Sequence, residues 1–434
     1  MGQDWEAIHG DTEWYTKARF GLFIHWGLYA LGARHEWLKS REAMDDATYD
    51  QYFRHFDPDL YEPEAWAEMA ANAGMKYVVV TTKHHEGFCL WDSHLTDYKA
   101  PNTPAGRDLL RPLVNAFRAR GLRIGFYYSL LDWHHPQYTV DGKHPQRARP
   151  DFVEASKTRD IGQYVDYLFG QTRELLTEYG KVDILWYDFC VPRDPPFLAK
   201  DQTTWRSAEL IRMIRELAPN ILINDRLGIA QDIRTPEQVQ PDRGLVVDGR
   251  PVVWETCHTF SGSWGYHRDE ASWKSADMVV TMLIDTVSKG GNLLLNVGPN
   301  ARGELDPRAV ERLKEVGRWM RLHQRAIYGA TQAPSDFACP PDCRLTYNPE
   351  SHRLYVHVLA WPFKFLHLPG MAGRVEYAQL LNDASEIPRR QFSGTVAPAP
   401  ELFHLETASD VLTLELPVEK PPVAVPVIEL FLRR

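Results

Sequence analysis

Cysteine is scarce: Cys89, Cys190, Cys257, Cys339 and Cys343 are odd in number and scattered, so no disulfide framework organises the chain. Cys339 and Cys343 are close enough in sequence to pair or to remain plain thiols. Long hydrophobic runs are missing as well. No stretch of about 18 apolar residues occurs, so no membrane span is expected. Positive charge is in deficit, with 49 Lys and Arg against 58 Asp and Glu and a net charge of −9. That balance argues against a nucleic-acid backbone or an anionic membrane surface as a partner. The first residues, Met-Gly-Gln-Asp-Trp-Glu-Ala, carry neither a basic n-region nor an apolar h-region. A cytoplasmic location is expected, although a removed signal peptide would leave the same trace. Internal repeats and low-complexity tracts are absent, and the oligomeric state stays open, a homo-oligomer included.

Aromatic residues, by contrast, are plentiful, at 12% of the chain with 14 Trp. A chain of 434 residues is long enough for a barrel of about 250 residues and a second domain. Apolar runs at 19–27, 77–83, 123–129, 181–190, 220–226, 252–258 and 290–298 read as strands. They alternate with helical periodicity over 64–73, 107–120, 157–179, 204–217, 276–288 and 307–323. Pro63 and Gly74 bracket the first of these helices. Polar and aromatic residues collect after the strands. This is the pattern of a (β/α)8 TIM-like barrel with its active-site face at the strand carboxyl ends. Seven strands are clear, and the eighth is placed near 260–266. A doubly wound sheet is disfavoured because no glycine-rich phosphate loop follows the first strand. After Ala333-Pro-Ser-Asp-Phe-Ala-Cys-Pro-Pro-Asp342 the pattern becomes short alternating runs without helices. Residues 1–330 are therefore expected to form the catalytic barrel and 331–434 a C-terminal antiparallel β-sandwich.

The run Lys181-Val-Asp-Ile-Leu-Trp-Tyr-Asp-Phe-Cys190, followed by the Pro-rich turn at 191–196, is the centre of the pattern. Side chains alternate along a strand, so Ile184, Trp186 and Asp188 share a face. An aspartate beside a tryptophan at the end of a buried strand needs hydrogen bonds or a charged partner to offset lost hydration. Its plain reading is a loop cap; its sharper reading is a catalytic carboxylate. Further acids at strand ends are Glu36, Glu86, Asp225, Glu237 and Glu255. A retaining glycosidase needs two carboxyls about 5 Å apart. Asp188 suits the nucleophile, and spacing alone does not separate Glu237 from Glu255 as the acid/base.

His25, His84, His85, His134 and His135 gather after the first three strands and suggest a metal-dependent hydrolase as a rival. Against it, His84 and His85 are adjacent and would point to opposite faces of a regular strand. The first strand offers one His and no His-x-His pair, so no metal and no cofactor is expected. Neutral imidazoles also suit sugar hydroxyls.

Phe20-Gly-Leu-Phe-Ile-His-Trp-Gly-Leu28, Lys83-His-His-Glu-Gly-Phe88, Leu185-Trp-Tyr-Asp188, Asn224-Asp-Arg226, Ser263-Trp-Gly-Tyr266 and Ser288-Lys-Gly-Gly-Asn-Leu-Leu-Leu-Asn-Val-Gly-Pro299 together, in this order, resemble the α-L-fucosidases of glycoside hydrolase family 29. The resemblance covers roughly 13–330. It implies a retaining, exo-acting double displacement without metal, releasing terminal L-fucose from a fucosylated oligosaccharide or glycoconjugate. It puts the nucleophile at Asp188 and the acid/base at Glu237, and maps fucose contacts onto His25, Glu36, Trp37, His84, His85, Tyr128, Trp186, Arg226 and Trp264. Glu255 remains the alternative acid/base. The alternative function is a non-catalytic fucose-binding barrel.

Overall fold

The computed structural model describes residues 9–190, 199–391 and 410–434. The N-terminal stretch and the Pro-rich turn at 191–196 lie outside the described residues. Seven parallel strands form one sheet: Phe20–Ile24, Tyr77–Lys83, Arg123–Ser129, Ile184–Asp188, Leu222–Ile223, Glu255–Thr259 and Asn292–Val297. The first strand pairs with both the second and the last, so the sheet curls round with Leu222–Ile223 and Glu255–Thr259 at its two edges.

What stands between those edges is not the expected strand near 260–266 but the segment 233–237. Parallel bridges join Asn224 to Ile233, Arg234 to Trp254 and Glu237 to Cys257. Toward Glu255–Thr259 it is bonded along its length: Glu255 N–H donates to Arg234 O, Cys257 N–H to Pro236 O, and Gln238 N–H to Cys257 O. On the other side backbone bonding ends where the amides of Asp232 and Ile233 donate to Ile223 O. Pro236 lacks the donor a central strand needs, and the run has no alternating apolar pattern, so its sequence does not read as a strand.

Both faces of the strands are buried, as a parallel barrel requires. Phe23, Tyr77, Val79, Tyr127, Ile184, Trp186, Leu222, Ile233, Cys257 and Leu294 share the inner cluster, with Tyr15 and Ala18 of the short Glu13–Ala18 helix. Their neighbours Leu22, Val78, Ile124, Tyr128, Leu185, Tyr187 and Leu295 face the surrounding helices. The Pro63–Asn72 helix has proline in its first turn and ends before Gly74 at φ +89, a left-handed value that favours glycine. The Ala276–Ser288 and Pro307–His323 helices occupy their predicted spans, and Ser275 and Asp306 cap them by accepting from the Met278 and Arg308 amides. The helix predicted over 157–179 is Ile161–Glu178, whose start the Asp160 side chain caps by accepting from Gly162 N–H, and Phe152–Lys157 is a separate short helix before it.

From Thr331 onward the pairing is antiparallel. One sheet orders Thr331–Gln332, Cys343–Asn348, Arg353–Val358, Val427–Leu432 and Val375–Leu380, and a second orders Phe365–Leu368, Leu412–Glu415 and Arg389–Gln391. They share a core that includes Leu345, Val356, Leu366, Leu414 and Ile428. This β-sandwich braces the barrel's last helices: Trp319 Nε1 donates to Val425 O, and Thr346 Oγ1 to Ala326 O. Cys339 and Cys343 are both free thiols. No helix among the described residues is long and apolar enough to cross a membrane.

Candidate active site

A cavity of about 300 Å³ opens at the carboxyl ends of the strands. That is at the small end of the range of about 300–1,000 Å³ for ligand pockets, room for one sugar ring rather than a chain. Asp188 ends its strand in register with Ser129 and is 7% exposed. One carboxylate oxygen accepts from Tyr127 Oη at 2.7 Å and the other from Arg226 Nη1 at 2.8 Å. Burial pushes the Asp188 carboxyl above its ordinary value; Arg226 and the Tyr127 hydroxyl pull it back, while the charge of Glu237 adds to the rise. Burial opposes the charge of Arg226 in turn, but Asp188 and Glu237 outweigh it and hold the guanidinium charged. The next residue, Phe189, sits at φ +69, so the chain turns sharply just past the acid and sets its ring on the pocket wall beside Trp37 and His85.

Glu237 reaches the same cavity from the segment 233–237. Its Oε2 lies 2.7 Å from Arg226 Nη1, the atom that also bonds Asp188. The two acids can therefore be no farther apart than those two distances end to end. That upper limit between their facing oxygens fits the spacing of a retaining pair, about 5–5.5 Å, better than the roughly 6.5 Å or more of an inverting one. Glu255 is not in this cavity. It starts its strand at the opposite end of the barrel, 1% exposed, where Tyr15 Oη, Tyr77 Oη and Trp186 Nε1 donate to it. No leaving group can reach it there.

The histidines supply acceptors. Asn296 Nδ2 donates to the Trp264 carbonyl, so its Oδ1 faces His25 Nδ1 at 2.6 Å and accepts from it. Ser129 Oγ donates to Leu131 O and accepts from His85 Nδ1 at 2.6 Å. Both rings are thereby left with an unprotonated Nε2 able to accept a hydroxyl proton. Burial pushes His25 down to about 3 and holds His84 and His85 well below the ordinary imidazole range, so all three are neutral near pH 7. Glu36 is buried and accepts from the backbone amides of Trp264 and Gly265. That bond ties the Ser263–Tyr266 loop to the loop after the first strand. Gly265 allows the closeness, since a Cβ there would stand 2.9 Å from the Tyr29 ring and 3.1 Å from Glu36 Cβ.

His25, Glu36, Trp37, His84, His85, Trp186, Asp188, Arg226, Glu237 and Trp264 thus meet in one cavity. Tyr128 does not. It points outward, where its hydroxyl donates to Gln171, and Tyr127 takes the inward position. The alternation in Arg123-Ile-Gly-Phe-Tyr-Tyr-Ser129 carried the signal, because Ile124, Phe126 and Tyr128 are the bulky helix-facing set. The argument that His84 and His85 face apart also fails. The strand ends at Lys83, so both lie in the turn beyond it, ring centroids 3.9 Å apart, and both line the cavity. Phe23, Arg41, Tyr127, Phe189, Cys257 and Gly262 complete the lining without having been read from the sequence as site residues. Among the described residues no group of three or more His, Cys, Asp or Glu is arranged to hold a metal ion.

Comparison with known proteins agrees with this geometry. Residues 2–325 match the alpha-L-fucosidase family profile. The tissue alpha-L-fucosidase of Rattus norvegicus is 30% identical over 388 residues, covering 83% of this chain and 79% of that one. Alpha-L-fucosidase isoenzyme 1 from Paenibacillus thiaminolyticus superposes with a TM-score of 0.89 at 43% identity, covering 98% of this chain and 99% of that one. A GH29 alpha-L-fucosidase from Bacteroides thetaiotaomicron, trapped as a covalent intermediate with 2-fluoro-fucosyl fluoride, superposes with a TM-score of 0.83 at 28% identity over 100% of both chains.

Proposed function

The chain belongs to the alpha-L-fucosidase family, glycoside hydrolase family 29, and is a retaining α-L-fucosidase; on that premise we propose that Asp188 is its nucleophile and Glu237 its acid/base. The substrate is a fucosylated glycan. The observation that carries the assignment is the single Arg226 Nη1 that lies 2.8 Å from Asp188 and 2.7 Å from Glu237.

In the first step an Asp188 oxygen bonds to the anomeric carbon as the glycosidic bond breaks. Glu237 gives its proton to the departing oxygen. In the second, Glu237 takes a proton from water as the water oxygen attacks the same carbon and releases Asp188. Two inversions give net retention. A protonated Glu237 cannot keep an ion pair, so the first step requires Arg226 to go to Asp188 alone as the sugar ring comes between the acids. His25 Nε2 and His85 Nε2 accept from ring hydroxyls, and Phe23, Trp186 and Trp264 offer apolar faces to the C5 methyl side. Family membership does not favour the alternative of a non-catalytic fucose-binding barrel.

The test uses leaving groups. Asp188→Gly should lower kcat by several orders of magnitude, with azide restoring turnover and giving the β-fucosyl azide. Glu237→Ala should be very slow on an oligosaccharide yet still form the fucosyl-enzyme from an activated aryl fucoside, with azide giving the α-fucosyl azide. Near-normal activity in Asp188→Gly would sink the nucleophile assignment. Equal loss on both substrates in Glu237→Ala, with no azide response, would remove Glu237 as the acid/base.

A further inference from the structure

The mechanism leaves Glu255 without a role, yet the barrel is built round it. A carboxylate at 1% exposure is a costly thing to keep. Three donors converge on it: Tyr15 Oη at 2.6 Å, Tyr77 Oη, and Trp186 Nε1 at 3.2 Å. The two tyrosines close the barrel on the side away from the cavity, Tyr15 from the Glu13–Ala18 helix and Tyr77 from the first position of its strand. Trp186 is different, because its indole belongs to both ends. Its edge reaches down to Glu255, while its ring forms part of the cavity lining.

That ring touches both groups that hold Asp188. Tyr127, which donates to one Asp188 oxygen, stacks on it at 21° with centroids 5.6 Å apart. The guanidinium of Arg226, which bonds the other oxygen, lies over it 4.4 Å from the ring centroid. A small rotation of the indole would move the phenol and the guanidinium together, and with them both hydrogen bonds to the carboxylate.

We propose that Glu255 is a positioning residue for the nucleophile: by accepting the Trp186 indole N–H it fixes the ring against which Tyr127 and Arg226 orient Asp188. The role rests on the assignment of Asp188 as nucleophile. It accounts for a buried acid placed where no substrate can reach, and it differs from an acid/base in that it acts equally on every leaving group.

Glu255→Gln is the first variant, since it preserves size while replacing one acceptor oxygen with a donor. Its kcat should fall at least tenfold by equal factors on an aryl fucoside and a fucosylated oligosaccharide, without azide response, while the inhibition constant of L-fucose changes little. Trp186→Phe removes the N–H from the other partner. If the effect runs through the indole, adding Glu255→Gln to Trp186→Phe should cost less than about twofold more. Tyr15→Phe takes a donor from the same carboxylate without touching the indole, and should keep kcat within about twofold at a lowered Tm. Multiplicative losses in the double variant, or kcat losses in Tyr15→Phe and Glu255→Gln that simply follow Tm, would overturn the proposal. So would a loss confined to the oligosaccharide with recovery as the α-fucosyl azide, which would make Glu255 the acid/base. Should Glu255→Gln not fold, Trp186→Phe at wild-type kcat overturns the proposal by itself, as does a loss that comes with weakened L-fucose inhibition, whereas a tenfold kcat loss at an unchanged L-fucose inhibition constant beside an unimpaired Tyr15→Phe supports it. Near-normal activity in Asp188→Gly would remove the nucleophile reading instead, whereas an inert Asp188→Gly beside a near-normal Glu255→Gln removes only the Glu255 reading.

Discussion

Tyr127 and Tyr128 are neighbours with the same side chain, and one peptide unit decides which of them meets the nucleophile. The inward one donates to Asp188; the outward one donates to Gln171 among the helices. Replacing each by Phe should separate the two positions. Asp188 must be ionised to attack, so kcat/KM falls as pH drops through its folded-state pKa, which burial has already raised. The Tyr127 hydroxyl favours the ionised form. Tyr127→Phe should therefore move the acid limb of the kcat/KM profile to higher pH as well as lower its plateau. Tyr128→Phe loses a buried hydrogen bond worth about 1 kcal/mol of stability but should leave the limb in place. A limb that moves in Tyr128→Phe and stays put in Tyr127→Phe would reverse that orientation. Asp188 itself was legible as a candidate because an acid at the end of an apolar, aromatic strand loses hydration that dedicated partners must offset, and such placements cluster at functional sites. The tyrosine position carried over from the resemblance was off by one, since matching motifs does not fix which face of a strand a residue takes, and the residue's own neighbours did.

Among the elements, those with a strong period were readable and those held by side chains were not. Arg123–Ser129, Ala276–Ser288 and Pro307–His323 fall where the apolar spacing puts them. The fifth strand is only Leu222–Ile223, because Asn224 continues the pairing with its side chain, accepting from Tyr187 N–H and donating to Tyr187 O. No periodicity announces such a substitution, nor the segment 233–237 that carries Glu237 past Pro236. This segment is pinned at its end by Gln238, at φ +55, whose side-chain amide donates to Thr259 Oγ1 at 2.9 Å and whose carbonyl accepts from Thr259 N–H. Gln238→Ala removes that pin without touching either carboxylate. The acid should then be less well placed, which matters most when the leaving group is poor. Activity on an oligosaccharide is expected to drop about tenfold relative to activity on an activated aryl fucoside. An unchanged ratio of the two kcat/KM values would show that the segment holds Glu237 without it.

For the molecule as a whole, the buried imidazoles make stability depend on pH. His25, His84, His85, His144, His258, His323 and His357 are buried, and burial depresses each of them. Unfolding lets each take up a proton below its unfolded value of about 6.5, so they cost stability as pH falls. Glu36, Glu86, Asp188 and Glu255 act the other way: burial raises them, to about 7 for Glu86 and Glu255, and they favour the fold at lower pH. Between pH 6.5 and 5 the seven histidines outnumber the four acids, and each net proton is worth about 1.4 kcal/mol per pH unit. Tm should fall on going from pH 7 to pH 5; a higher Tm at pH 5 would contradict the balance. The barrel has a further consequence of its own making. Its staves are zipped together all round except at one seam, beyond Ile233, where backbone bonding to the neighbouring stave stops. The seam separates the Leu222–Ile223 stave from the segment that carries Glu237, and from its near side Arg226 reaches back to Asp188 on the next stave and across to Thr235 and Glu237. The gap between two acids is what sends glycoside hydrolysis down its retaining or its inverting course. Here that gap falls across the joint the fold leaves unsewn: Asp188 and Glu237 each follow the strand pairing on their own side, and one guanidinium spans the space between them until the sugar takes its place.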